Sequence, residues 1–158
     1  MLPAISRSYN FVDDFMNWAP GADNWVVTED ATATIGIADA AGGVLSIVND
    51  GADDDHVYVQ WAYEIGAFVA RKRAFFECRL QNDVIDQSDI YAGLYVRDTD
   101  PVGGITDAIE VFVDGEKVAT AAVTNLPPDE LTPSFAVQNG DGAAVTLLID
   151  YIAAQFER

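Results

Sequence analysis

The chain has 158 residues, half of them hydrophobic, with 26 acidic against 8 basic side chains and a formal net charge of −18; that is enough apolar material to close one domain core and too little chain for two. Three Trp, six Tyr and eight Phe exclude a disordered acidic tail, which lacks the apolar surface to offset its ordering entropy. So acidic a surface repels phosphate, and neither nucleic acid nor an anionic membrane is an expected partner.

Residues 1–10 carry neither a basic segment nor an apolar run of about 7 to 15 residues, so no secretory leader is expected. They read as an N-terminal arm in front of a single domain over 11–158. No stretch approaches the roughly 18 apolar residues of a membrane-spanning helix. Trp18 and Trp25 flank the turn-like Ala19-Pro20-Gly21-Ala22-Asp23-Asn24. The three Trp are more often core than ligand platform, but Trp18 and Trp25, if partly exposed there, are aromatics able to stack on sugar rings. Ala31 to Ala38 alternates and is followed by Val44-Leu45-Ser46-Ile47-Val48 after Ala40-Ala41-Gly42-Gly43, which predicts a hairpin. His56 to Tyr63 reads as a strand from its β-branched and aromatic content.

Arg73 to Leu80 alternates cleanly, with Ala74, Phe76, Cys78 and Leu80 on one face and Arg73, Phe75, Glu77 and Arg79 on the other. Ile90 to Val96 is nearly all apolar. That predicts a central strand covered on both sides, with Gly93 marking a bulge or a close approach. Ala108 to Val113 and Lys117 to Thr124 flank Asp114-Gly115, a strong hairpin signal, and Asn125-Leu126-Pro127-Pro128-Asp129 breaks the pairing. Ser134 to Gln138 and Val145 to Phe156 flank a turn at Asn139-Gly140-Asp141-Gly142. The last segment is a long closing strand rather than a helix. About ten short strands and no convincing amphipathic helix predict an all-β, antiparallel two-sheet sandwich or jelly roll. Missing crossover helices exclude a parallel α/β fold.

Chemistry is sparse. Glu110, Asp114 and Glu116 read as a solvated strand residue and the acids of a hairpin turn. His56 is the single histidine, beside Asp53-Asp54-Asp55, and leaves a nucleophilic triad barely constructible. One His and one Cys cannot supply a zinc site. Calcium suits the acids better, at Asp50, Asp53, Asp54 and Asp55 or at Asp98 and Asp100, but neither cluster has the spacing of a calcium-binding loop. No catalytic residue, metal ligand or cofactor is assigned. Cys78 has no intramolecular disulfide partner and reads as a small buried hydrophobe. Arg71-Lys72-Arg73 holds three of the eight basic residues. It is either a contact to an acidic partner surface or a basic turn balancing nearby acids.

The order of several segments carries a resemblance: Asp13-Asp14-Phe15 with Trp18 and Trp25, Gly42 to Ile47, Phe75 to Leu80, Ala92-Gly93-Leu94-Tyr95 with Asp98-Thr99-Asp100-Pro101, Ile105 to Ile109, and the terminal Asp150-Tyr151-Ile152. Over nearly the whole chain this order resembles the concanavalin-like, laminin-G-type jelly rolls of tailed-phage virion proteins. The resemblance implies a capsid cement or decoration protein: non-enzymatic, a homotrimer on the outer capsid surface, made in the host cytoplasm and bound to the major capsid protein. On that reading the expected contacts are Leu2, Ile5 and Tyr9 of the arm together with Arg71, Lys72 and Arg73. The tight Glu-x-Asp-x-x-Glu run of sandwich glycosidases is missing from this sequence. The alternative within the same fold class is a lectin-like carbohydrate-binding module, with or without calcium. A glycoside hydrolase comes third and would need two carboxylates about 5 to 10 Å apart.

Overall fold

The computed structural model describes residues 8–19, 24–29, 32–39, 42–67, 72–84, 88–96, 111–113, 116–119, 130–140 and 142–157. Among them there is no helix, and twelve strands follow in order: β1 (Ser8–Asp13), β2 (Trp25–Glu29), β3 (Thr34–Asp39), β4 (Val44–Val48), β5 (His56–Trp61), β6 (Gly66–Ala67), β7 (Ala74–Asn82), β8 (Ser88–Val96), β9 (Val111–Val113), β10 (Glu116–Ala119), β11 (Glu130–Asn139) and β12 (Thr146–Glu157).

Two five-stranded antiparallel sheets form the sandwich, each built around one long strand. The first runs β1-β12-β4-β3 with β7 on the other side of β12, and the second runs β2-β5-β11-β6 with β8 on the other side of β11. The turn expected at Asn139 to Gly142 does not pair its flanking strands with each other. It carries the chain from the centre of one sheet to the centre of the other. The β9–β10 hairpin pairs on either side of Asp114-Gly115, as the sequence predicts. The core lies between the sheets, where Leu45, Ile47, Leu147, Ile149 and Ile152 of the first meet Val57, Val59, Phe135 and Val137 of the second.

One residue sets the first sheet's phase. Opposite β7, Ile149 faces Leu80 and Tyr151 faces Arg79, so Asp150 is an extra residue in β12. Before it the β12 side chains in the hydrophobic core are Leu147 and Ile149; after it they are Ile152, Ala154 and Phe156. A strand's side chains alternate strictly, so without the bulge the second half of β12 would turn its apolar set to the wrong face. Each large side chain moved out of the core in that way would forgo about 1.5–3 kcal/mol of burial.

The β3–β4 hairpin forms as expected, and Gly43 sits in its turn at φ 68°. A Cβ there would run into the Asp14 carbonyl oxygen and lie 2.8 Å from Met16 Cγ, so the turn packs directly on the segment after β1. Ile90 to Val96 departs from expectation. Among the described residues β8 pairs only with β11, and Ile90 is exposed, so the strand is not flanked on both sides. Its continuous apolar run has a local reason. The Tyr91 and Tyr95 rings meet edge-on at 5.2 Å, and the Tyr91 hydroxyl donates to the Leu94 carbonyl at 3.1 Å. Gly93 makes room for that ring, since a Cβ would lie 2.8 Å from the Tyr91 oxygen, and the register past it is unbroken.

The sequence reading starts β11 at Ser134; it begins at Glu130 and runs through Pro133. The Ile65 N–H donates to the Leu131 carbonyl and the Ala62 N–H to the Asn24 carbonyl. By alternation, the backbones of Pro133 and Trp61 therefore face each other, one step beyond the Ser134–Gln60 pair. Proline has no proton to give the Trp61 carbonyl. The hydroxyl of fully buried Thr132 donates there instead, at 2.7 Å. Thr132→Val is expected to cost about 1–3 kcal/mol by orphaning that carbonyl, read as a lower urea midpoint, whereas Thr132→Ser should keep most of the stability.

Candidate functional site

β12 ends at Glu157, and two segments singled out in the sequence flank it. On one side Ser8 of β1 pairs with Glu157. On the other, the Glu157 N–H donates to the Arg73 carbonyl at 2.9 Å, while Arg73 returns its N–H and its Nε to Glu157 Oε2 at 3.2 and 3.4 Å. The start of β1 and the approach to β7 thus lie at one end of one sheet, a strand apart on each side of β12, roughly 10 Å from each other. Buried Gln155 fastens the β1 side, its amide donating to Asn10 Oδ1 at 2.7 Å and to Ser8 Oγ at 3.2 Å. Tyr9 belongs to this strand. It pairs with Phe156 and packs partly buried against the core.

Lys72 and Arg73 are exposed, and the Arg73 side chain keeps 73% of its surface in solvent although it is paired with Glu157. The Arg73 backbone N–H, then its guanidinium and more weakly the charge of Lys72, hold the Glu157 carboxyl below the usual carboxylate range. The corner therefore presents guanidinium and ammonium groups on an otherwise acidic chain. It can attract a carboxylate-bearing surface.

The remaining candidates have other surroundings. Leu2, Ile5, Arg71, Asp98, Asp100, Glu110 and Asp114 lie outside the described residues, and Glu116 opens β10 opposite Val113. The His56 ring stacks on Tyr58 at 4.4 Å. The loop holding Asp50, Asp53, Asp54 and Asp55 is stapled by two buried asparagines. The Asn49 amide donates to the Asp55 carbonyl at 2.6 Å, and the Asn139 amide to the carbonyls of Asp50 and Ala52. The Asp50 carboxylate accepts the Ala52 N–H at 2.9 Å, which with the neighbouring Asp55 side chain lowers its pKa. Among the described residues no three His, Cys, Asp or Glu side chains are grouped to hold a metal ion.

Of the tryptophan pair, Trp18 stays partly exposed and Trp25 belongs to the core. Trp25 is 3% exposed, and its indole N–H donates to Asp13 Oδ2 at 2.9 Å. The other Asp13 oxygen accepts the Phe15 N–H at 2.8 Å, with Phe15 buried at φ 56°. Trp18 packs half-buried on both rings, 6.3 Å from Phe15 and 6.2 Å from Trp25. One carboxylate therefore folds Asp13-Asp14-Phe15 back over Trp25, and that aromatic becomes core rather than a platform.

Glu157, Gln155 and Ser8 were not visible as site residues in the sequence, because only closure of the first strand on the last brings them to the triplet. Cys78 lies half-buried on the core side of β7, where burial and then the Glu77 carboxylate push its thiol up to about 11. Since the thiolate is the reactive form, iodoacetamide should modify Cys78 at pH 8 about 100-fold more slowly in the native protein than in urea. Equal rates would contradict its burial. A scan of protein-family models and searches of curated proteins and of solved structures return no match to this chain.

Proposed function

We propose that this chain is a non-enzymatic structural protein that binds and reinforces another protein's surface, and that this surface is the shell of a tailed-phage capsid, as the jelly-roll resemblance implies. The observation that carries the reading is the corner at Glu157. Ser8, where the N-terminal segment enters β1, and the basic Lys72 and Arg73 lie on either side of Glu157 at one end of one sheet. Such a convergence suits attachment. A segment leading off an ordered strand can lie along a neighbouring protein, while cations at its root select an acidic contact and repel basic ones. The net charge of −18 keeps the unattached protein soluble and away from packaged nucleic acid. The alternative as a lectin is weakened by Trp25, whose indole is committed to Asp13 and the core.

The test is titration of the purified chain onto phage shells that lack it, with occupancy read by sedimentation. Lys72→Glu with Arg73→Glu should weaken binding about tenfold or more at low salt and flatten its salt dependence, and removal of residues 1–7, which leaves β1 whole, should lower occupancy. Unchanged occupancy for both variants would overturn the corner as the attachment surface. Binding to polysaccharide with none to shells would overturn the function.

A further inference from the structure

The outer edge of β7 carries a second surface. The Arg73 carbonyl accepts the Glu157 N–H, and the Asp83 N–H donates to the Thr146 carbonyl, so the odd-numbered backbones of this strand face β12. Those of Ala74, Phe76, Cys78, Leu80 and Asn82 therefore face away from it. Among the described residues no strand pairs with that side. The strand is nine residues long, and Phe75 and Leu80 on it are 36% and 38% exposed. An open edge of this length is a template for another strand.

We propose that the occupant is a second copy of this chain, paired antiparallel across a two-fold axis through Cys78, so that the first sheets of two molecules join into one. The charge pattern of the strand selects both partner and register. With Cys78 opposite Cys78, Glu77 of one copy faces Arg79 of the other, twice by symmetry, and at the strand ends Arg73 faces Asp83. Phe75 meets Gln81 on the same face. On the core side Phe76 meets Leu80 and covers its exposed surface. About ten main-chain hydrogen bonds close between the outward-facing groups. Opposite charges directly across a strand pair are favourable and like charges are not. Sliding the pairing by two residues sets Glu77 against Glu77 or Arg79 against Arg79, and sliding it by four sets Arg73 against Arg79 or Glu77 against Asp83. A slide by an odd number points each free N–H at the wrong side of its partner and inverts the faces. Only one two-fold register in this range pairs every outer-face charge with its opposite.

Local bonds prepare the two central side chains. Arg79 is held by Asp150 at 3.1 Å with 75% of its side chain still in solvent, and Glu77 accepts the Tyr151 hydroxyl at 2.5 Å. Both charges are thus steered onto the outer face of the sheet, where the second copy presents their opposites. The contact leaves β1 uncovered but shares Arg73 with the attachment corner; the Glu77 and Arg79 reversals leave Lys72, Arg73 and Glu157 unaltered, so failure of this proposal is distinguishable from failure of the attachment reading. It also differs from the threefold association that the resemblance implies.

Sedimentation and native mass measurement of the full chain at about 100 μM, above the micromolar constants of small interfaces, should show a species of twice the 17.0 kDa monomer mass. Glu77→Arg and Arg79→Glu should each raise the dissociation constant about tenfold or more while the circular dichroism stays native. Mixing the two singly reversed chains should restore a dimer, because the arginine pair of one then faces the glutamate pair of the other. In the unaltered chain, amide exchange at Phe76, Cys78 and Leu80 should slow as concentration rises. A monomer at that concentration, a trimer insensitive to both reversals, or a mixture of the two variants that stays monomeric would overturn the proposal.

Discussion

A single extra residue in β12, Asp150, decides which side chains of the first sheet face the core. β12 is bonded along one side to β4 and then to β1, and along the other to β7. The phase change at Asp150 lets Leu147 and Ile149 serve the half shared with β4 while Ile152, Ala154 and Phe156 serve the half shared with β1. It also fixes where the polar residues go: Gln155 turns to the opposite face to hold Ser8 and Asn10, and Glu157 ends the strand between β1 and Arg73. Asp150 itself, displaced by the bulge, becomes the partner of Arg79.

Polar side chains elsewhere repair what the backbone cannot do. Thr132 supplies the donor that Pro133 lacks, Asp13 serves both the Phe15 backbone and the Trp25 indole, and Asn49 and Asn139 satisfy the carbonyls of the loop between β4 and β5. Thr132, Asn49 and Asn139 are buried and Asp13 partly so, and each gives a backbone or indole group a partner within the protein. The acids of that loop, which as a sequence suggest a cation site, thus belong to a turn stapled from below.

β12 divides the outer surface of its sheet between two uses. On one side lies β1; on the other lies β7, entered through Lys72 and Arg73, with no strand on its outer edge among the described residues and a charge order that matches itself in reverse. On the two proposals above, the first surface takes a different protein and the second a copy of the same one.

The alternation of Ala74 to Leu80 and the strand character of Val44 to Val48 and Val145 to Phe156, together with the Gly42-Gly43 and Asp114-Gly115 turns, were legible in the sequence because strand period and turn chemistry act over a few residues. The all-β class and the antiparallel sandwich followed from them. Two features were not legible: the bulge at Asp150 and the continuation of β11 through Pro133. Each depends on a partner far along the chain, the first on Arg79 and the second on the Trp61 carbonyl that Thr132 meets. The composition of the chain by itself determined that it would form strands with one oily face and carry a strongly negative coat. Only the tertiary structure decided that the first strand closes on the last, because hydrogen bonding across a sheet is chosen by which backbones have no other partner, and that choice brought Glu157, Ser8 and Arg73 to one corner and left the outer edge of β7 without a strand among the described residues.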